Sequence, residues 1–332
     1  MKARYVTFYS YIGTGFRSSE KLWMKNQRQY PDPESVQGIA EIALLKLKSL
    51  IYPHFVLSSR QVYFYIHGHG RIIRSVDGGV HALNTSAHFD LEKYGSNIYH
   101  PDAITFQMNK FFYKNNISIY IKKCLRVADD FDARRWALAR KYLYRFAVLK
   151  KDLPEHQHMS TVIPIEEWKR CHFMRLPNFD IERFKEGAKY FPGYHDFSTF
   201  KKFDKLNQHK HNRRLLYSFD VRPGTSRRVA QCGGEEHFDY WEVEIRGRAF
   251  VHNQIRRMIG TLMSVGIGKI PPEEVKVMLQ VPSKHSWHTF TQNCPPDGLY
   301  LCDVEYNPED LIYKTKLEGA TNLQSDIESD SE

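Results

Sequence analysis

The sequence predicts a mixed α/β protein built from two similar halves, and three observations support this fold class. Strand-like stretches recur along the chain and are separated by stretches with the apolar spacing of amphipathic helices. The same alternation of strands and helices occurs in both halves, although no literal sequence repeat is visible. Hydrophobic residues make up 42% of the 332 residues and aromatic residues 14%, so the chain can bury the core of two domains or of one large domain.

In the first half the predicted elements follow the order β-α-β-β-α-β-β. Residues 5–11 alternate as a strand, which a turn at residues 13–16 ends. Ser35 is the expected N-cap of an amphipathic helix, because apolar residues follow it at helical spacing. The other predicted elements of this half are a strand at 56–60, a strand-like run at 80–89, a helix at 101–113, and strands at 117–127 and 140–148.

The second half begins near residue 150 with a polar loop that contains two prolines. Its predicted elements are a helix at 179–190, a strand at 241–246, a helix after His252, a short helix from Pro271 and a last strand at 298–306. We therefore expect an N-terminal half at 1–148, a C-terminal half at 149–310 and an acidic, disordered tail at 311–332.

The formal net charge of the chain is +10. A folded, basic protein that is rich in aromatic residues favours a polyanionic partner, nucleic acid before membrane; the alternative is a basic protein without such a partner. Residues 201–214 form a predicted basic loop, which is either a solvated loop or an arm that contacts phosphates. Its cationic residues are Lys201, Lys202, Lys205, Lys210, Arg213 and Arg214.

Several classes of protein are disfavoured by what the sequence contains. The five cysteines are scattered without a CxxC pair, which argues against a structural zinc site and for a reduced intracellular compartment. His67 and His69 lie in a glycine-rich stretch, but two flexible histidines are too few ligands for a metal site, so we expect no metal. No stretch reaches the length of a membrane span, and neither a secretory signal nor a transit peptide is recognisable. Nucleus, cytosol and mitochondrion all remain open as locations.

A single carboxylate, Asp77, opens a turn with two glycines, and strand-like sequence follows this turn. The stretch is Asp77-Gly78-Gly79-Val80-His81-Ala82. Asp-Gly is a common turn dipeptide, so the ordinary interpretation is a simple β-turn. The functional interpretation is an acid that the turn presents at the edge of a sheet, where it faces a cleft.

Nine stretches, taken together and in order, resemble the tRNA pseudouridine synthases of the TruA type, and most closely the animal pseudouridylate-synthase-like branch. No single stretch is decisive, but the ordered set spans residues 5 to about 306. The stretches are 11–14, 35–38, 77–82, 87–90, 130–134, 140–145, 193–197, 250–260 and 295–301.

The resemblance implies two α/β halves, each with a mainly antiparallel sheet, and the two sheets join around a central cleft. It implies a homodimer that binds tRNA and works without a cofactor or a metal. It also implies the isomerisation of uridine to pseudouridine in tRNA, commonly in the anticodon stem-loop.

Four positions match the family's functional residues. Asp77 matches the catalytic aspartate, Tyr142 the active-site tyrosine, Arg256 the arginine that pairs with the aspartate, and Leu299 the apolar residue of the uracil pocket. With the resemblance, the expected substrate-binding residues are Leu299, Arg60, His81, Lys201, Lys202, Arg213 and Arg214.

The sequence departs from the family pattern immediately before Asp77. The family has Arg-Thr-Asp there, whereas residues 61–76 of this chain occupy the place of the single threonine. Either Arg60 is the family arginine, displaced by an insertion, or Arg74 substitutes for it. We interpret residues 61–76 as a retained short intron or an exon-boundary error, which sequencing of the transcript would decide. A genuine insertion would instead favour a catalytically impaired protein that binds RNA or acts in ribosome assembly.

Overall fold

The computed structural model describes residues 1–20, 32–51, 77–93, 95–150, 153–154, 157–202, 211–227 and 237–313, with the backbone alone for 47–51. The predicted strand at 56–60, the departing segment 61–76 and the tail from residue 314 onward lie outside the described residues. All statements below concern the described residues.

The fold is α+β, which confirms the predicted class. The strands are β1 (Lys2–Tyr11), β2 (His81–Glu92), β3 (Ile119–Val127), β4 (Ala139–Leu149), β5 (His172–Met174), β6 (Gly193–Asp196), β7 (Arg213–Pro223), β8 (Phe238–Gly247) and β9 (Leu299–Glu305). The helices are α1 (Val36–Ile51), α2 (Pro101–Lys114), α3 (Ile181–Ala188), α4 (Gln254–Gly266) and α5 (Glu274–Gln280).

These described strands form one sheet in the order β3-β1-β2-β9-β4-β8-β7-β6, and β5 pairs with β4 at the side. Most neighbours are antiparallel. Strands β2 and β9 are parallel, with His81 opposite Tyr300 and Ala82 opposite Leu301. The last described strand, β9, thus lies between β2 and β4. The division of the chain at residue 148 stays a prediction.

The hydrophobic core is built around the central strands, which are buried on both faces. Almost every residue of β4 is buried, and β8 and β9 flank it on its two sides. Phe146 on β4 packs against Phe184 of α3, with ring centroids 5.5 Å apart. Each such fully buried aromatic side chain contributes roughly 1.5–3 kcal/mol to folding.

Local sequence signals account for most element boundaries. Ser35 caps α1 as predicted, because its hydroxyl accepts a hydrogen bond of 3.0 Å from the Gly38 N–H. Helix α3 begins two residues later than predicted, because the Asp180 carboxylate accepts hydrogen bonds from the N–H groups of Glu182 and Arg183.

The prediction of one basic loop at 201–214 is wrong at its C-terminal end. Arg213 and Arg214 begin the strand β7, which pairs with β6 and β8. Their two adjacent charges obscured the buried positions Leu216 and Phe219, which share one face because the register of β7 shifts between Leu216 and Ser218.

Candidate active site

The turn that begins at Asp77 is a closed backbone turn immediately before β2. The Asp77 carbonyl accepts a hydrogen bond of 3.1 Å from the Val80 N–H. Gly79 has a φ of +86°, a conformation that glycine adopts without the steric penalty of a side chain. A Cβ at Gly79 would also lie 2.8 Å from Cγ of Pro296. The two glycines therefore let the turn bend tightly against the segment before β9.

A second close approach fixes the turn from the other side. A Cβ on Gly13 would lie 1.9 Å from the Val80 carbonyl oxygen, so only glycine permits this contact. The Gly13 N–H donates a hydrogen bond of 3.1 Å to Nδ1 of His81. Segments from the start, the middle and the end of the chain thus hold Asp77 in place.

His81 is fully buried, and its expected contact with substrate stays a prediction. Since Nδ1 accepts from Gly13, Nε2 carries the proton and faces the carbonyl oxygens of Lys169 at 3.1 Å and Asp297 at 3.2 Å. Burial lowers the pKa of His81 and favours its neutral form. Both ring nitrogens are used by the backbone, so His81 positions the turn from within the protein.

Both oxygens of the Asp77 carboxylate contact cationic or polar side chains from the start of α4. Nη1 of Arg256 donates to Oδ2 at 2.8 Å, and Nε2 of His252 lies 3.1 Å from Oδ1. The Asn253 amide also faces the carboxylate, and the orientation that satisfies it directs its nitrogen at both oxygens. The Asp77 side chain is 18% exposed, so the carboxylate is fixed by its partners but remains accessible.

The Arg256 guanidinium is itself held in place by the backbone. Its Nε donates a hydrogen bond of 2.6 Å to the Cys294 carbonyl, and the Cys294 N–H donates to the Arg256 carbonyl at 3.2 Å. Asn253, just before the helix, has a φ of +59°, which turns the chain so that His252 and Arg256 reach the same carboxylate.

Asp77 is held in its ionised form by these neighbours. Burial raises the pKa of the Asp77 carboxyl, but the hydrogen bonds and charges of His252 and Arg256 outweigh this effect. The net result is a pKa below the ordinary value of 3.8. A carboxylate that stays charged in a mostly desolvated site can act as a nucleophile or as a base.

Tyr142 and Leu299 lie on the neighbouring central strands β4 and β9, and the charge of Asp77 acts on Tyr142. Tyr142 is opposite Leu301 and Tyr144 is opposite Leu299, so these four side chains share one face of the sheet. The Tyr142 ring meets Phe250 edge-on, with centroids 5.0 Å apart. Burial raises the pKa of Tyr142 to about 12, with a further upward effect from the charge of Asp77, so its hydroxyl keeps its proton.

The structure brings some of the expected basic residues to this site and leaves others elsewhere in the fold. Lys202 is adjacent, because its N–H donates a hydrogen bond of 3.0 Å to the His252 carbonyl, and Lys201 precedes it. Arg213 and Arg214 are opposite Asp196 and His195 of β6. Arg60 lies outside the described residues.

Sequence reasoning missed two residues that contact Asp77, namely His252 and Asn253. A signal was present, because His252 lies four residues before Arg256 and a helix begins between them. Residues at this spacing lie near each other on one side of a helix end.

The described parts of the chain contain no group of three or more His, Cys, Asp or Glu residues that could hold a metal ion. His67 and His69 lie outside those parts. Among the helices described, none is long and apolar enough to cross a membrane.

Comparison with known proteins defines the class to which this chain belongs. Residues 188–307 match the family model described as tRNA pseudouridine synthase. The tRNA pseudouridine synthase-like 1 of Xenopus laevis is 30% identical over 322 residues, which cover 93% of each chain. The human protein of the same name is 28% identical, over 92% of this chain and 91% of the human one.

Bacterial relatives extend the match. The tRNA pseudouridine synthase A of Methylocella silvestris is 33% identical over 242 residues, which are 73% of this chain and 81% of the bacterial one. The chain therefore belongs to the tRNA pseudouridine synthase family, a family of isomerases of the TruA type, and the resemblance read from the sequence is confirmed.

Proposed function

We propose that this protein isomerises uridine to pseudouridine in tRNA and that the carboxylate of Asp77 carries out the reaction. The observation that carries the proposal is the pair of contacts on this one group, from Arg256 at 2.8 Å and from His252 at 3.1 Å. The names of the relatives, tRNA pseudouridine synthase A and tRNA pseudouridine synthase-like 1, support the same reaction and substrate.

The chemistry needs an ionised acid in a protected site. The reaction breaks the bond between N1 of the base and C1′ of the ribose, turns the base over and joins C5 to C1′. C5 loses its proton, and N1 gains one. A carboxylate can serve as a nucleophile at C1′ or as a base at C2′, and both roles require it to be deprotonated. The lowered pKa of Asp77 supports either role.

Tyr142 and Leu299 are the proposed walls of the uracil pocket. The Tyr142 ring can stack on the base, and its protonated hydroxyl can donate a hydrogen bond near the reacting carbons. Leu299 offers no hydrogen bond that would compete with the turning of the base. Both residues are buried on central strands, which supports a rigid pocket.

The target uridine must leave its stack to reach Asp77, which costs a few kcal/mol. Phosphate contacts from basic side chains can offset this cost, and the net charge of +10 suits such contacts. Lys201 and Lys202 are the best placed, since their backbone adjoins His252. We extend the proposal to a uridine of the anticodon stem-loop and to a homodimer, as the family resemblance implies.

The direct test replaces Asp77 by asparagine, which keeps the shape of the side chain and removes its charge. We expect Asp77→Asn to abolish tritium release from tRNA that carries [5-³H]uridine, because release reports the loss of the C5 proton. RNA affinity should remain. Asp129→Asn changes an exposed aspartate outside the family stretches, so it is the matched control and should keep full activity. Turnover by a pure Asp77→Asn preparation would refute the proposal.

A second candidate is a catalytically impaired RNA-binding or ribosome-assembly protein. Residues 61–76, which stand before Asp77 in place of one threonine, favour it. The two candidates differ in one readout, the pseudouridine map of cellular RNA with and without the protein. An unchanged map would support the impaired protein, whereas the loss of specific tRNA sites would support the enzyme.

A further inference from the structure

Three consecutive exposed residues, Trp168, Lys169 and Arg170, form the tip of a turn that the site described above does not use. The Trp168 side chain is 48% exposed. An exposed tryptophan offers a flat ring on which a nucleic-acid base can stack. The turn therefore presents one aromatic ring and two cations together.

The backbone of this turn has a defined and unusual geometry. The Arg170 N–H donates a hydrogen bond of 2.9 Å to the Glu167 carbonyl, which closes a four-residue turn. Trp168 has a φ of −58° and a ψ of 122°, and Lys169 has a φ of +56°. These angles are typical of a type II turn, in which glycine usually takes the place that Lys169 occupies here. A lysine kept in a left-handed conformation suggests that its side chain has a use.

Both ends of the turn are fixed to the central strands. The Glu167 carboxylate is fully buried and accepts two hydrogen bonds, of 2.6 and 2.8 Å, from Arg145 on β4. The Arg170 carbonyl accepts from the Tyr300 hydroxyl at 2.6 Å. The Lys169 carbonyl accepts from Nε2 of His81 at 3.1 Å. The turn is thus anchored to the strands that carry Tyr142 and Leu299 and to the strand that follows Asp77.

The charges of the turn lack acidic partners in the described structure. No carboxylate of the described residues lies within ion-pair distance of Lys169 or Arg170. An aromatic ring on which a base can stack, with cations beside it for the phosphates, is the combination by which proteins hold single-stranded nucleic acid. A rigid ring also loses little conformational entropy on binding.

We propose that the turn Glu167–Arg170 is a second RNA contact, distinct from the pocket at Asp77. An unpaired base of the substrate stacks on Trp168, and the neighbouring phosphates contact Lys169 and Arg170. The inference rests on the proposed function for the kind of RNA, but its test needs no turnover. Because the turn is tied to His81 and Tyr300, a base held there is placed at a fixed position relative to the Asp77 turn.

The first experiment measures the affinity of the full-length protein for a pool of unmodified tRNA transcripts. We expect Trp168→Ala to weaken binding about five- to hundredfold, since a stacked base is lost. Trp168→Phe keeps a flat ring and should stay within about threefold of the wild type. Tyr113→Ala is the matched control, because this aromatic residue is 87% exposed on α2 and should not affect affinity.

The second experiment removes a cation without disturbing the turn. Glycine suits the left-handed position, so Lys169→Gly should keep or raise the thermal unfolding midpoint. Its affinity should depend less on salt, and the slope of log affinity against log salt should fall by about 0.7–0.9. This variant decides the question even if Trp168→Ala folds poorly.

Several results would overturn the inference. Equal affinities of wild-type, Trp168→Ala and Lys169→Gly proteins would do so, and so would an equal loss in Trp168→Ala and Tyr113→Ala. A shifted monomer–dimer equilibrium of Trp168→Ala with unchanged RNA affinity would assign the surface to a contact between copies instead.

The same measurements separate this inference from the proposed function. A wild-type protein that forms no pseudouridine, yet binds RNA through Trp168, contradicts the proposed function and supports the second contact. If the wild-type protein forms pseudouridine and Trp168→Ala has the same KM for tRNA, the second contact alone is contradicted.

Discussion

Two arginine–carboxylate pairs in this protein have similar distances and opposite surroundings. Arg145 and Glu167 are joined at 2.6 and 2.8 Å, and their side chains are 2% and 0% exposed. Arg256 and Asp77 are joined at 2.8 Å, and their side chains are 14% and 18% exposed. The first pair lies behind the turn that carries Trp168, and the second lies at the candidate active site.

The two carboxylates differ in their further contacts. Glu167 accepts a further hydrogen bond of 2.6 Å from the Arg227 N–H, and Arg145 donates to the Thr225 carbonyl at 3.0 Å, so that pair is satisfied and closed. Asp77 instead faces His252, whose side chain is 38% exposed. The buried pair Arg145–Glu167 therefore has a structural role. The partly exposed pair Arg256–Asp77 keeps the carboxylate of Asp77 ionised and accessible.

The largest expected effect comes from breaking the sealed pair. Arg145→Met leaves the Glu167 charge buried without its guanidinium, which should lower the free energy of unfolding by about 3–5 kcal/mol. Denaturant unfolding measures this change. Arg256→Met is the matched variant for the open pair and should cost clearly less, because His252 and Asn253 still contact the Asp77 carboxylate. Similar losses in both variants would show that the two pairs do not differ as described.

The open pair should instead affect catalysis. Arg256→Met removes the cation from Oδ2 of Asp77, so we expect kcat/KM for pseudouridine formation to fall roughly 10²–10³-fold, the range for loss of one preorganised charge contact. Tritium release from labelled tRNA measures it. Arg256→Lys keeps the charge but loses the fork that also reaches the Cys294 carbonyl, so an intermediate rate is expected. Full activity of Arg256→Met would contradict the role assigned to the pair.

A smaller effect is expected at His252, and it concerns pH. Burial raises the pKa of Asp77, and His252 is the foremost of the groups that lower it. His252→Gln keeps a possible hydrogen bond but removes the imidazole that lowers the pKa of Asp77, so this pKa should rise. Under the proposed function the carboxylate is the active form. The acid limb of the pH–rate profile should therefore move to higher pH, whereas the rate at neutral pH should change little because the carboxylate stays ionised there.

The control for this pH shift is His158→Gln, which changes an exposed histidine on another loop. Its profile should match the wild type. An acid limb of His252→Gln that stays in place would mean that Arg256 alone keeps Asp77 ionised, and that the exposed side of the open pair has no electrostatic role.

The sequence predicted elements well where the signal is local. The alternation of residues 5–11 and the capping Ser35 predicted β1 and the start of α1, because both patterns depend on near neighbours. The basic residues at the start of β7 obscured this strand. Its inner face becomes evident only from its pairing with β8. The pairing of Asp77 with Arg256 came from family resemblance alone, and His252 and Asn253 were missed.

By itself, the sequence determined the α/β class, the order of most elements, the basic charge and the membership of a family. The tertiary structure alone decided which side chains meet, because Asp77 and Arg256 are 179 residues apart along the chain. No periodicity encodes such a distance. The parallel pairing of β2 with β9, and the close approach of Gly13 to Val80, fix the Asp77 turn against segments that lie far away in the sequence.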